Sequence, residues 1–532
     1  MYDIYRSLFY RPSEEVLKAV PQEVFFILSD ETGYDEAVLG LKTLGFNNPE
    51  AAMRIIKLLK GSPSRLRFPS AAASLFERLL PLLFFGAARS ADPDRALGFL
   101  ERFTSAVGAK RIFYSLLIEN PKIAELLANI FGASVFLSKG LIEHPANLDL
   151  LLSPELSKPH KTRQELSREL EHVELFGEET LDELRMFRNR EVFRIAINDI
   201  HGVLDTAAVS EEMTLLAEAL IEAAFQVSFK ETSRRYGPPS GLRPHGFAIL
   251  GLGKLGGREL IYGSDLDMVF VYADNLEGGE TVGQRIISNR EFFIRLGQRI
   301  ITTLSLRTKE GFVFDVDMRL RPSGSAGPLV ISKGALIDYY GKKTEVWERQ
   351  AFIKARAVAG DMVFAEGLLA ELSDIIYSRP PEKEDVAELV RIRKRMEHEI
   401  AKETETRYNI KTGKGGLVDI EFLVQALQLR HGHRKNLRTA FTIEALDNLK
   451  HEGLIADHDY LFLKEAHGFL RLIETSLRIV HDRPEGYMEK GTEELKSLAR
   501  RLGFDGEEGL MADYSRYRDM VREIYLKTLG GM

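Results

Sequence analysis

The segment from Phe247 to Tyr272 constrains this chain more than any other. It reads Phe247-Ala-Ile-Leu-Gly-Leu-Gly-Lys-Leu-Gly-Gly-Arg-Glu-Leu-Ile-Tyr-Gly-Ser-Asp-Leu-Asp-Met-Val-Phe-Val-Tyr272. An apolar run of strand length leads into a glycine-rich loop, and a second apolar strand opens with Asp265 and Asp267. Acids spaced i, i+2 on a strand share a face. Neighbouring carboxylates oppose each other's ionisation unless a cation or polar ligand neutralises them. Hard oxygen donors suit Mg²⁺, the cation that travels with nucleoside triphosphates. A second β-type run, Phe312-Val-Phe-Asp-Val-Asp-Met318, carries Asp315 and Asp317 on one face and leads into Arg319-Leu-Arg-Pro322. Two acids on one strand and one on a neighbour form a donor set suited to two-metal phosphoryl or nucleotidyl transfer.

The glycines admit a competing reading. Gly251-Leu-Gly-Lys-Leu-Gly256 fits the dinucleotide fingerprint G-x-G-x-x-G, and Asp274 lies near the distance of a ribose-binding acid. That fold needs a full helix between the glycines and the next strand. Only Gly257 to Ser264 is available here, roughly two turns at most at a rise of about 1.5 Å per residue. The nucleotidyltransferase reading survives: Gly253, Gly256 and Gly257 let backbone N–H groups approach phosphates, and Lys254 stands in the loop that grips the triphosphate. Ser264 is placed to orient Asp265 or a metal-bound water.

Composition enters through what it excludes. A net charge of −7 supplies no global basic field for a nucleic-acid partner. The absence of cysteine removes disulfides, thiolate catalysis and Cys-ligated zinc, and suits a reducing cytosol. Met1-Tyr-Asp-Ile-Tyr-Arg6 lacks the basic start and apolar core of a signal peptide. The longest apolar run, from Leu79 to Ala88, is too short to span a bilayer and contains Pro81. The expectation is a soluble cytoplasmic protein with no membrane partner, and 532 residues exceed one core.

Helical periodicity predicts a helical N-terminal domain over 1–205, with breaks at Gly61-Ser-Pro-Ser64, Ala91-Asp-Pro-Asp94, Asn120-Pro121 and His144-Pro145. Arg188, Arg190 and Arg194 could face a phosphate or a partner, or form a solvated ion-paired face. A catalytic domain is expected over 206–378. Its elements are a helix from near Ser210 as cap, strands near 246–250 and 267–273, a helix near 283–305, and a strand near 312–319. Tyr377-Ser-Arg-Pro-Pro-Glu-Lys-Glu384 reads as a linker to a C-terminal helical bundle over 379–532. The fold class is α+β and mostly helical.

The motifs together resemble the glutamine synthetase adenylyltransferase/adenylyl-removing enzyme family, of the DNA polymerase β-like nucleotidyltransferase superfamily. The resemblance rests on Gly251-Leu-Gly-Lys-Leu-Gly-Gly-Arg-Glu-Leu260 with Ser264-Asp-Leu-Asp267, and on Asp315-Val-Asp-Met-Arg-Leu-Arg-Pro-Ser-Gly-Ser-Ala-Gly-Pro328. Further blocks are Glu345-Val-Trp-Glu-Arg-Gln-Ala-Phe-Ile-Lys-Ala-Arg-Ala-Val-Ala-Gly-Asp361 and Lys414-Gly-Gly-Leu-Val-Asp-Ile-Glu-Phe-Leu-Val-Gln425. Phe131-Gly-Ala-Ser-Val-Phe-Leu137 and His144-Pro145 extend it into the helical front, so it covers roughly residues 40 to 510.

The resemblance implies a polymerase β-like centre flanked by helical domains. It implies transfer of AMP from ATP to a tyrosine of glutamine synthetase, or its removal by phosphate with release of ADP. It would place Mg²⁺ on Asp265, Asp267 and Asp317, with Asp317 preferred to Asp315 because it adjoins Arg-Leu-Arg-Pro. Arg319 and Arg321 would stabilise phosphate charge. A PII-type nitrogen signalling protein is a possible partner. The bifunctional enzyme carries two catalytic units in tandem; one acidic site is expected here, and so one direction, which these motifs do not select. The alternatives are the same chemistry on another acceptor, or a non-catalytic ATP-sensing regulator.

Three further clusters invite a role. Trp347, Arg349, Lys354 and Arg356 are expected on one helix after the catalytic strands, where Lys354 could touch nucleotide phosphate or the cluster could serve a structural or surface role. Lys411-Thr-Gly-Lys-Gly-Gly416 reads as a phosphate-facing loop closing over the site, against an ordinary turn before a helix favoured by Asp419 and Glu421. His431-Gly-His433 reads as a basic turn rather than a metal site, and His481-Asp482 as a helix end before Pro484.

Overall fold

The computed structural model describes residues 20–61, 70–107, 110–145, 148–151, 158–171, 178–241, 246–342, 344–481 and 486–532. Of the pair His481-Asp482, Asp482 lies outside these residues. The chain is α+β and mostly helical, as its periodicity predicts. Up to residue 205 the described elements are helices, among them Ser70–Ala88, Pro93–Ala106 and Pro121–Ala133. Asp92 opens the second by accepting from Arg95 N, with Pro93 at its first position.

Two long helices lead to the centre: α1 (Glu178–Ile200) and α2 (Thr206–Tyr236). The cap of α2 is Asp205, whose side chain accepts from Ala208 N at 2.8 Å, not the expected Ser210. Ser210 lies one turn inside, and its hydroxyl accepts from Arg471. The helix ends at Gly237, whose φ of +77° suits glycine.

The sheet consists of β1 (Phe247–Gly251), β2 (Leu266–Tyr272), β3 (Val316–Asp317), β4 (Val330–Ser332) and β5 (Arg356–Gly360). β1 lies antiparallel between β2 and β5. Along the other edge of β2, β3 pairs with its start and β4 with its end, both parallel. An antiparallel β1–β2 pair rules out the dinucleotide fold, whose flanking strands run parallel around a crossover helix.

β1 and β2 are buried on both faces, which is why each reads as an unbroken apolar run. One face, with Phe247, Ile249 and Phe270, joins the front helices, α2 and α3 (Asn289–Ser305) in a single core. Phe247 stacks between Phe225 of α2 and Phe293 of α3 at 5.7 and 5.6 Å. The other face, with Ala248, Leu250, Val269 and Val271, packs on α4 (Met362–Ile376) and the helices that follow. Among these are α5 (Lys383–Met396), α6 (Leu417–His431), α7 (Asp457–His481) and α8 (Glu507–Gly530). The sheet is thus the middle layer between two helical masses.

Three expectations need correction. The helix near 283–305 begins only at Asn289, capped by Ser288. The strand near 312–319 shrinks to two residues because the N–H groups of Val313 and Phe314 turn back to Leu304 O. The single helix expected for Trp347, Arg349, Lys354 and Arg356 is two elements: a helix over Val346–Phe352 carries the first two, and Arg356 opens β5.

Candidate active site

The register of the sheet builds the site. Leu266 pairs with Val316 and Asp267 with Asp317, so Asp317, rather than Asp315, stands directly across from Asp267. The Asp315 carbonyl accepts from Leu266 N at 2.9 Å, while its carboxylate lies at the surface beside Arg307. Asp265 is exposed at the mouth of β2. Before it, Ile261 N donates to the Ser264 hydroxyl and Ser264 N to the Ile261 carbonyl, both at 3.1 Å. That double bond closes the turn and fixes where Asp265 emerges.

Gly253 explains why the loop before β2 is glycine-rich. Its φ is +51°, and a Cβ there would stand 2.2 Å from Asp267 Oδ2. The backbone therefore lies directly against the carboxylate, and only glycine permits it. Burial first, then the charges of Asp265 and Asp317, push the Asp267 carboxyl up to about 6. Arg319 works against this at Asp317. Its Nε lies 2.8 and 3.0 Å from the two carboxylate oxygens, and its hydrogen bonds hold that carboxyl below the usual range.

This donor set fits a hard divalent cation: carboxylate oxygens converge on one edge, and repulsion among them is unrelieved at Asp267. No three ligating side chains among the described residues stand in ready coordination geometry. The grip of Arg319 on Asp317 supplies a reason, since it draws the third carboxylate to the guanidinium.

Behind the loop the charges are paired. Lys254 Nζ is 2.6 Å from Glu474 of α7. Burial pulls the Lys254 ammonium down to about 8 despite that partner, whereas Lys254 and Arg471 outweigh burial at Glu474 and hold it at about 2. Lys354 Nζ lies 2.9 Å from Glu259 and 3.0 Å from Glu421 of α6. Arg471 of α7 donates to the Glu259 carbonyl at 2.6 Å. Gly256 allows close approach of this layer, since a Cβ there would stand 1.8 Å from Lys354 O. Gly257 is buried next to it. Arg321 donates to the carbonyls of Met318, Ser325 and Gly327, which clamps the turn after β3.

Lys254, Lys354 and Arg321, expected on phosphate, are thus engaged with protein partners. Arg319 alone of the four expected cations is exposed, its side chain 76% accessible. The arginines of α1 are likewise engaged. Arg194 is buried between Glu191 and Glu212, Arg190 pairs with Glu169, and Arg188 stacks on Phe314.

The loop at 411–416 meets this site from the C-terminal side. Lys411 is close enough to enter the electrostatics of Asp267, Lys254 and Glu474 together. Its glycines signal it in the sequence, whereas Glu474 sits unmarked within an amphipathic helix.

Family comparison agrees with this architecture. Residues 124–370 match the model of the glutamate-ammonia ligase adenylyltransferase family, which includes every strand of the sheet. The chain belongs to this family. Residues 386–529 match a second model, GlnD PII-uridylyltransferase, over the C-terminal helices. The chain is 36% identical over 451 residues to a bifunctional glutamine synthetase adenylyltransferase/adenylyl-removing enzyme of Thioalkalivibrio sulfidiphilus, covering 82% of this chain and 46% of that protein. It is 34% identical over 407 residues to a protein of the same description from Idiomarina loihiensis, covering 75% of this chain and 43% of that one. The chain spans about half the length of these relatives.

Proposed function

We propose that this chain is a nucleotidyltransferase that controls glutamine synthetase, either adding AMP from ATP to a tyrosine or removing it with phosphate to release ADP. The observation that carries the reading is the pairing of Asp267 with Asp317 beside Asp265, against a loop whose Gly253 has no room for a side chain. Relatives named for both reactions support the acceptor.

Asp265, Asp267 and Asp317 would hold Mg²⁺, which when bound supplies neutralisation of charge on the phosphate oxygens. The remaining work falls to the chain itself. The Gly253–Gly257 backbone admits a phosphate chain close to the carboxylates. Arg319 exchanges Asp317 for a phosphate oxygen, which releases the third carboxylate as substrate arrives. Lys254, Lys354 and Arg321 hold the loop and the turn in place. A PII-type signalling protein is a second partner, a reading supported by the match over 386–529. A cytoplasmic setting follows from these partners; no described helix is long and apolar enough to cross a membrane.

The test uses the purified chain with Mg²⁺ and glutamine synthetase in two forms. Label passing from α-labelled ATP to the unmodified form makes it the transferase; phosphate-dependent ADP release from the adenylylated form makes it the remover. Absence of both activities, with known effectors supplied, would overturn glutamine synthetase as the acceptor.

A further inference from the structure

A cavity of about 490 Å³ opens where the end of the glycine loop meets the C-terminal helices, and none of Asp265, Asp267 and Asp317 lines it. Its walls are the start of α2, residues 257–259, residues 441–443 and the stretch of α7 from Lys464 to Arg471. Cavities of roughly 300–1,000 Å³ are the size that takes a small molecule.

Two side chains in the wall are left open to a ligand. Arg258 follows Gly257 with a φ of +55°, in the left-handed region that favours glycine. Its guanidinium lies 5.3 Å from the centre of the Phe441 ring, and among the described residues it makes no ion pair or hydrogen bond. The His467 side chain is only 9% accessible. Glu259 Oε1 stands 3.9 Å from its Nε2, beyond hydrogen-bonding distance, and among the described residues the ring makes no hydrogen bond.

The backbone adds charge of the same sign. The helix Thr442–His451 starts after Phe441, which offers no side-chain cap, and its first two residues line the cavity. The Thr442 hydroxyl is buried with no partner among the described residues. Thr206 and Ala207, the first turn of α2, border the same space. Helix N-termini favour anions. The other charges in the wall are mostly satisfied: Lys464 by Asp447, Arg471 by Glu474 and Glu259 by Lys354. Glu211 is an exposed acid there. Arg258, His467 and two helix N-termini outweigh it, and Phe441 and Ile443 give apolar surface for the body of a ligand.

We propose that this cavity binds a small organic anion, its carboxylate or phosphate group held by Arg258, His467 and the start of Thr442–His451, as an effector site separate from the nucleotide site. Arg258 continues the backbone of Gly253–Gly257, so a ligand that holds Arg258 also holds the loop set against Asp267. Anion and nucleotide then change each other's affinity by the same factor. The binding site stands on its own geometry; its role as an effector site rests on the nucleotidyltransferase reading above.

The test uses full-length wild type, Arg258→Gly, Arg258→Lys and Asp265→Asn/Asp267→Asn. Benzoate and phenyl phosphate are the probes, which separate carboxylate from phosphate on one apolar body, and benzamide is the uncharged control. Calorimetric Kd and Tm are measured with and without a saturating non-hydrolysable ATP analogue and Mg²⁺. At least one anion is expected to bind wild type and the double variant alike, with the analogue present, while benzamide does not bind. Its Kd should rise about tenfold or more in Arg258→Gly, whose Tm stays close to wild type because glycine suits that φ, and recover in part in Arg258→Lys. No saturable binding by either anion, equal Kd in wild type and Arg258→Gly, or displacement by the analogue would overturn the site. An analogue Kd unchanged by bound anion would overturn the effector role alone. Wild-type turnover in the double variant would overturn the nucleotidyltransferase reading instead.

Discussion

Two groups of charged residues lie on opposite sides of the same glycine loop, and they are arranged in opposite ways. On the outer side, Asp265, Asp267 and Asp317 crowd one sheet edge, and at Asp267 burial and like charge win. On the inner side, Lys254–Glu474 and Glu259–Lys354–Glu421 alternate in sign, with Glu259, Lys354 and Glu474 buried and Lys254 and Glu421 partly so. The inner group is a joint: it ties the catalytic loop to α6 and α7. An ionised Asp267 costs stability in the isolated chain, and such a cost persists where a residue is kept for chemistry. Like composition therefore carries two roles, separated by whether each charge meets its opposite.

The comparison breaks first at activity. Asp267→Asn is expected to cut turnover by roughly a thousandfold or more, because it removes a carboxylate from the phosphate-facing edge; steady-state kinetics at saturating Mg²⁺ check this. Gly253→Ala should come next, with turnover down about a hundredfold. Its Cβ would collide with Asp267 Oδ2 and displace the carboxylate. Gly257→Ala, where the nearest contact is 3.3 Å, should lose much less.

Stability should move the other way across the loop. Glu474→Leu leaves Lys254 buried without its partner and should cost about 3–5 kcal/mol in denaturant unfolding, with Lys254→Met/Glu474→Leu recovering most of it. Glu474 is held at about 2, below its unfolded value of 4.5. Its contribution is therefore complete above pH 4.5 and fades as pH falls toward 2, so wild type and Glu474→Leu should converge in acid. Asp267 shows the opposite sign. Its folded value of about 6 lies above the ordinary 3.8, so ionising it destabilises the fold as pH rises through that window. Asp267→Asn in chelator should be more stable than wild type at pH 7 by up to about 3 kcal/mol, with the gain gone below pH 4. The smallest effect belongs to Arg319→Gln: its exposed pairing with Asp317 should change stability by less than about 1 kcal/mol while nucleotide KM rises.

Much of the centre was legible because its strands are long and doubly buried. Phe247–Gly251 and Leu266–Tyr272 announce themselves as apolar runs, and the i, i+2 acids follow from period two. β4 and β5 did not, being three and five residues, Val-Ile-Ser and Arg-Ala-Val-Ala-Gly, with no alternation to read. Ser210 looked like a cap because its neighbours are acidic, but Asp205 precedes it and caps the helix earlier. Lys254 was read as a phosphate ligand because it stands among glycines, Arg321 because it follows the acidic strand, and Lys354 because it falls in a basic cluster after the catalytic strands. Their partners Glu474, Glu259, Glu421 and the Met318 carbonyl are set by tertiary packing, which local spacing does not encode.

The most direct measurement of the central claim is a calorimetric titration of a non-hydrolysable ATP analogue into wild type and Asp265→Asn/Asp267→Asn, each with and without Mg²⁺. The account predicts binding by wild type that strengthens with Mg²⁺, and no such Mg²⁺ dependence in the double variant, whose Tm is no lower than that of wild type. Equal, Mg²⁺-independent binding by both proteins would contradict it and return these acids to the surface.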